Sequence, residues 1–100
     1  MMNAMPTPSE PTHRAEVRRE ALARALEAFI RERFRVADDD TLFDRETNLW
    51  EEGYVDSAGV VEVLAFLEDA VGARLPEDLL FDPEFTSIDG MARLSLASVD

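Results

Sequence analysis

The chain of 100 residues contains no cysteine, one histidine, one tryptophan, one tyrosine, four glycines and five prolines. Without cysteine there is no disulfide and no thiolate metal site, so any thiol chemistry has to come from an added group. The single histidine, His13, lies in the first turns of the chain, which leaves little inventory for a Ser–His or Cys–His catalytic pair. Few glycines and prolines, with 46% hydrophobic residues, describe a globular chain rather than a disordered or fibrous one. Its length suits one domain around a modest core. No apolar run approaches a bilayer span, so membrane insertion is not expected. The opening MMNAMPTPSEPTHR has neither an apolar stretch nor a basic leader, so no secretory signal is expected and a cytoplasmic location is.

Positive charge is also scarce: 22 acidic residues against 10 basic ones give a net charge of −12. The basic footprint of a nucleic-acid binder is missing. A basic protein partner, steered by long-range attraction, fits this charge; acidity serving solubility alone is the competing explanation. The cations cluster early, at Arg14, Arg18, Arg19, Arg24, Arg31, Arg33 and Arg35, and after Arg45 only Arg74 and Arg93 remain. The acidic excess therefore belongs to the second half.

Residues 1–8 hold two prolines and no periodicity and read as a loose tail; residues 9–97 read as the domain. Ser9 or Thr12 is placed to cap a first helix, with Pro11 in its first turn. Val17, Ala21, Leu22, Ala25, Leu26, Phe29, Ile30 and Phe34 then recur at helical spacing, which predicts a helix over about 10–35. Asp38-Asp39-Asp40 reads as its terminator. The next twenty residues lack strong periodicity but include Leu42, Phe43, Leu49, Trp50, Tyr54 and Val55, which predicts a packed loop with a short helical turn. A second helix is expected over 57–71, with Asp56 at the N-cap and Gly72 at a left-handed C-terminal position. Leu75-Pro76-Glu77-Asp78 opens a short helical segment with Leu79, Leu80 and Phe81, and Thr86 or Ser87 caps a last helix. No strand alternation is present. The fold class is all-α: three main helices plus one short helix around a single core.

Gly53-Tyr54-Val55-Asp56-Ser57 places a serine in the first turn of a helix, after a capping aspartate. Unpaired amides and the positive end of the helix dipole meet there, so a phosphate on Ser57 finds a favourable field. An ordinary Asp-Ser helix start also accounts for this pentapeptide.

The longer pattern is more specific. Val55-Asp56-Ser57, Val61-Glu62-Val63, Leu67-Glu68, Leu75-Pro76-Glu77 and Thr86-Ser87-Ile88 follow one another along the chain. Over residues 10–96 this pattern resembles the acyl carrier protein family. The resemblance implies a four-helix bundle of acyl-carrier type and a non-catalytic protein. Ser57 would receive a covalent 4'-phosphopantetheine arm from coenzyme A, making the chain a phosphoprotein that holds acyl or aminoacyl cargo as a thioester. Asp56 would cap the helix and assist recognition by a Mg-dependent phosphopantetheinyl transferase. Glu62, Glu68 and Asp69 would face basic partners, with Ala58, Val61 and Ala65 supplying apolar contacts beside them; a core position for Val61 and a merely solvated face for the acids are the alternatives. The implied partners are the transferase, a loading ligase and a downstream acyltransferase or synthase, and a monomer is expected. Ala58-Gly59 departs from the Leu or Met that usually follows the serine, and Tyr54-Val55 looks more like the step in aminoacyl and specialised carriers.

Other chemistries fit less well. A hydrolase elbow needs Gly-x-Ser-x-Gly, and Val55 stands at the first glycine position. A calcium loop starting at Asp38 has Leu42 and Phe43 where an oxygen ligand and glycine are needed, so no metal site is expected. An unmodified acidic helical adaptor binding a basic partner is the rival function.

Overall fold

The computed structural model describes residues 11–99, with side chains from Arg14 onward. Three α-helices, α1 (Pro11–Arg33), α2 (Ser57–Val71) and α3 (Ile88–Val99), and a 3-10 turn at Glu77–Phe81 make up the order. Among the described residues there is no strand, and no helix is long and apolar enough to cross a membrane. The short fourth element is a tight 3-10 turn, and α3 runs on past residue 97 to Val99. Thr12 lies inside α1, and Ser9 lies outside the described residues.

The core is shared by all three helices and the long loop. Leu22, Leu26 and Ile30 of α1 bury with Val63 and Leu67 of α2 and with Ile88, Met91 and Ala92 of α3. Phe43, Leu49, Val55, Leu75 and Phe85 join from the connections. The apolar stripe of α1 is narrower than its periodicity implies: Val17 is 54% exposed, and Ala21 and Ala25 face solvent. Phe29 instead stacks on Phe66 of α2 at 4.5 Å between centroids.

The acidic triplet does not end α1. Arg35 adopts a left-handed φ of 57°, and the Val36 N–H donates to Arg31 O at 3.0 Å, the six-to-one bond of a Schellman cap. Asp40 serves the loop instead, accepting the Leu42 amide at 2.9 Å and the Tyr54 hydroxyl at 2.7 Å.

The loop between α1 and α2 is packed but carries no regular element. Asn48 Oδ1 accepts the amides of Trp50 and Glu51, and the Glu52 N–H reaches Asn48 O, closing one isolated helical turn. Phe43, Leu49 and Val55 bury as expected, Trp50 and Tyr54 are half-buried, and Leu42 lies 68% exposed instead of packing inward. Arg45 ties the loop to α1 through Glu20 at 2.8 Å and Glu27 at 3.0 Å. Its guanidinium is held above its ordinary pKa and both carboxyls below theirs, mainly by these side-chain hydrogen bonds. Arg31 lies over the Phe43 ring at 4.6 Å.

Ser87 caps α3, its Oγ accepting the Gly90 N–H at 3.1 Å. A Cβ at Gly90 would fall 1.8 Å from Glu84 O, so the connection before α3 leaves no room for a side chain. Backbone cannot yield as a side-chain tip can, so Gly90→Ala is expected to lower unfolding free energy by about 2–3 kcal/mol. Urea denaturation followed by far-ultraviolet circular dichroism measures it; an unchanged midpoint would show that the connection is soft.

Candidate functional site

The site begins with a helix cap. Asp56 is extended (φ −101°, ψ −176°), and its Oδ1 accepts the Gly59 N–H at 2.7 Å. One of the free amides at the start of α2 is thereby satisfied, and the helix is fixed to begin at Ser57. Ser57 is exposed, at the positive end of the α2 dipole. At the other end Gly72 takes the expected left-handed φ of 73°, its N–H bonded to Glu68 O.

Gly59 has a steric role. A Cβ there would lie 2.6 Å from Cε1 of Phe34, whose ring covers the first turn of α2. The residue that follows α1 is thus seated directly on the segment that presents Ser57. Arg33 adds a two-pronged pair with Glu62, at 2.5 Å and 2.9 Å.

Ser57 stands on the rim of a cleft of about 490 Å3, lined also by Trp50, Val55, Asp56, Val60, Leu80 and Phe81. The long loop, the first turn of α2 and the 3-10 turn each supply a wall. Phe81 is 84% exposed although aromatic. From the sequence, Trp50 reads more readily as a loop anchor than as part of a ligand cage, and none of these apolar residues is assigned to the site. The signal was Leu79-Leu80-Phe81, three consecutive apolar residues in a segment too short to bury them all.

The structure places the expected recognition residues in two groups. Ala58, Val61, Ala65 and Asp69 are exposed along one stripe of α2 beside Ser57, and Val61, at 63% exposure, is not a core residue. Glu62 and Glu68 are less open: Glu62 is engaged by Arg33, and Glu68 accepts the Leu75 N–H at 2.9 Å with Arg74 Nε at 3.8 Å. Glu68 thereby ties the end of α2 to the following turn.

A larger, polar depression of about 720 Å3 shares no residue with this cleft. On its walls Arg93 pairs with Glu84, and Arg45 with Glu20 of α1. Among the described residues no group of three or more His, Cys, Asp or Glu side chains is arranged to hold a metal.

Comparison of the chain with protein-family models, with curated proteins and with solved structures returns no match. The case for a function therefore rests on the site and on the sequence pattern.

The loop that delivers Asp56 and Trp50 depends on Tyr54, whose ring meets Phe43 edge-on at 5.1 Å. Its hydroxyl donates to the Asp40 carboxylate, and this bond, then burial and the charges of Asp40 and Glu52, push the phenol up to about 12. The same bond heads the causes that hold Asp40 below the usual carboxylate value. A raised phenol contributes stability that is complete below the ordinary tyrosine pKa of about 10 and is lost as pH rises through 12. The Asp40 contribution runs the other way: present above about 4, it is lost as pH falls through the lowered folded value. Tyr54 is the only tyrosine, so ultraviolet difference absorbance reads it without ambiguity. We expect a tyrosinate midpoint near 12 in the native protein and a return toward about 10 in Asp40→Ala; equal midpoints would show that the bond does not persist in solution.

Proposed function

We propose that the chain is a carrier protein of the acyl-carrier type, holding acyl or aminoacyl cargo on a 4'-phosphopantetheine arm at Ser57. One observation carries the reading: Ser57 is an exposed hydroxyl on the first residue of a capped helix, beside both an apolar cleft and an open helix face. The residue pattern from Val55 to Ile88, which resembles that of acyl carrier proteins, supports it further, as do the three helices and 3-10 turn.

The residues present fit such an arm. Asp56 satisfies the Gly59 amide, and the remaining field at the start of α2 favours the phosphodiester charge on Ser57. The exposed hydroxyl leaves room for a transferase to approach. In the attachment step Ser57 Oγ bonds to the pantetheine phosphorus of coenzyme A as its bond to adenosine 3',5'-bisphosphate breaks; the hydroxyl proton passes to a base on the transferase. Once in place, the arm supplies the thiol that the cysteine-free chain lacks. Ala58, Val61, Ala65 and Asp69 then form the open surface for partner enzymes, and Glu62 and Glu68 add acidic charge from its edges. The protein has no turnover of its own in this role, and acts as a monomer in the cytoplasm.

Intact mass after incubation with coenzyme A, Mg2+ and a broad-specificity phosphopantetheinyl transferase tests the proposal. Wild type is expected to gain one phosphopantetheine unit and Ser57→Ala none. No gain on a folded sample with several transferases would shift the reading to an unmodified acidic adaptor. In the same assay Asp56→Ala should accept the arm more slowly, and urea denaturation should show a loss of about 1 kcal/mol, the usual worth of a helix cap.

A further inference from the structure

The end of α1 and the residue after it grip α2 along one stripe. Gly59, Glu62 and Phe66 stand three and four residues apart, on one face of α2. Phe29 stacks on Phe66 at 4.5 Å, Arg33 pairs with Glu62, and the Phe34 ring lies over Gly59. Phe29 and Phe34 meet edge-on at 6.5 Å, so the three contacts form one bracket. Phe34 is fixed from both sides. Its N–H donates to Ile30 O at 2.9 Å, and Arg35 turns the chain at a φ of 57° so that Val36 enters the core. An arginine in that left-handed region is under strain, and the surrounding packing has to hold it there.

Gly59 is buried, although Asp56, Ser57 and Ala58 before it are exposed. The point where its Cβ would stand lies 2.6 Å from Phe34 Cε1 and 3.2 Å from Asp56 Oδ1. The edge of the ring is therefore beside the hydrogen bond from the Gly59 N–H to Asp56 that starts the helix. Kept from water, such a bond is stronger than an exposed one. Glycine lends the turn no stiffness of its own. The cap and the ring over it restrain the turn that presents Ser57.

Resting on the carrier reading, we infer that Phe34 is a positioning residue for arm attachment, holding Ser57 in the geometry that the transferase accepts by covering the cap bond. In-line displacement at phosphorus needs the attacking oxygen, the phosphorus and the leaving oxygen on one line. A frayed turn spreads Ser57 Oγ over many directions. Phe34 acts through Gly59 and Asp56 and takes no part in making or breaking bonds. A transferase that accepts only the formed turn sees a carrier diluted by the unformed fraction, which raises KM and leaves kcat unchanged.

The test follows the full chain in two ways: arm transfer from coenzyme A by a broad-specificity phosphopantetheinyl transferase, and backbone amide exchange of the unmodified protein by NMR. Phe34→Ala is expected to raise KM for the carrier about tenfold at constant kcat. The Gly59 amide should exchange about tenfold faster, while the buried Met91 amide of α3, bonded to Ser87 O, keeps its protection. Phe34→Met, whose flexible side chain still reaches residue 59, should restore both readings. Asp56→Ala combined with Phe34→Ala should be no slower than Asp56→Ala alone, because both changes act on one bond. Additive effects, an unchanged Gly59 amide, or a loss of protection shared by Met91 overturn the inference. Equal KM for wild type and Phe34→Ala removes the inference alone; no arm on folded wild type removes the carrier reading with it.

Discussion

Leu49 is the point on which the non-helical half of the molecule hangs. Its side chain is fully buried, its N–H donates to Thr86 O at 2.7 Å, and its carbonyl accepts the amides of both Tyr54 and Val55. A loop entering a core must satisfy its backbone polar groups without a ladder or a helix. Leu49 does this by bonding on one side to the connection before α3 and on the other to the residues leading into α2. A second bond, Asp89 N–H to Arg45 O at 3.0 Å, repeats the tie nearby. The cleft depends on these ties, because one wall is loop, one is helix and one is the 3-10 turn.

Around Ser57 the physical effects act in one direction. The cap sets where α2 starts, the Phe34 ring holds its first turn, and the Arg33–Glu62 pair clamps the next. Both partners of that pair are substantially exposed, so it contributes at most about 1 kcal/mol and serves alignment more than stability. What remains open on α2 is small or apolar apart from Asp69, and much of the nearby acidic charge is balanced within the chain.

The helices were legible because their signals are local. Asp56, the 57–71 span and Gly72 followed from cap chemistry and a single period, and the structure places each as expected. Ser87 as the cap of α3 was legible for the same reason. Other features depended on tertiary contacts that no local rule encodes. The end of α1 is set by a left-handed arginine, a residue type without preference for that conformation, while three aspartates nearby offered a more obvious stop. Leu42 and Val17 looked like core residues but had no partner surface to reach. Asp56 and Ser57 could be read at the site; the cleft beside them could not, because Trp50, Val60 and Phe81 meet only once the loop and the 3-10 turn have folded back.

Gly59 and Phe34 share one volume. In isolation glycine in a first helical turn looks like a weak choice, and replacing it by a better helix former looks like an easy gain. The ring above it limits that freedom, since a side chain at 59 makes the tip of the Phe34 ring shift. The two positions, 25 residues apart by their numbers, are therefore coupled, and enlarging the turn under the serine displaces the ring that follows α1.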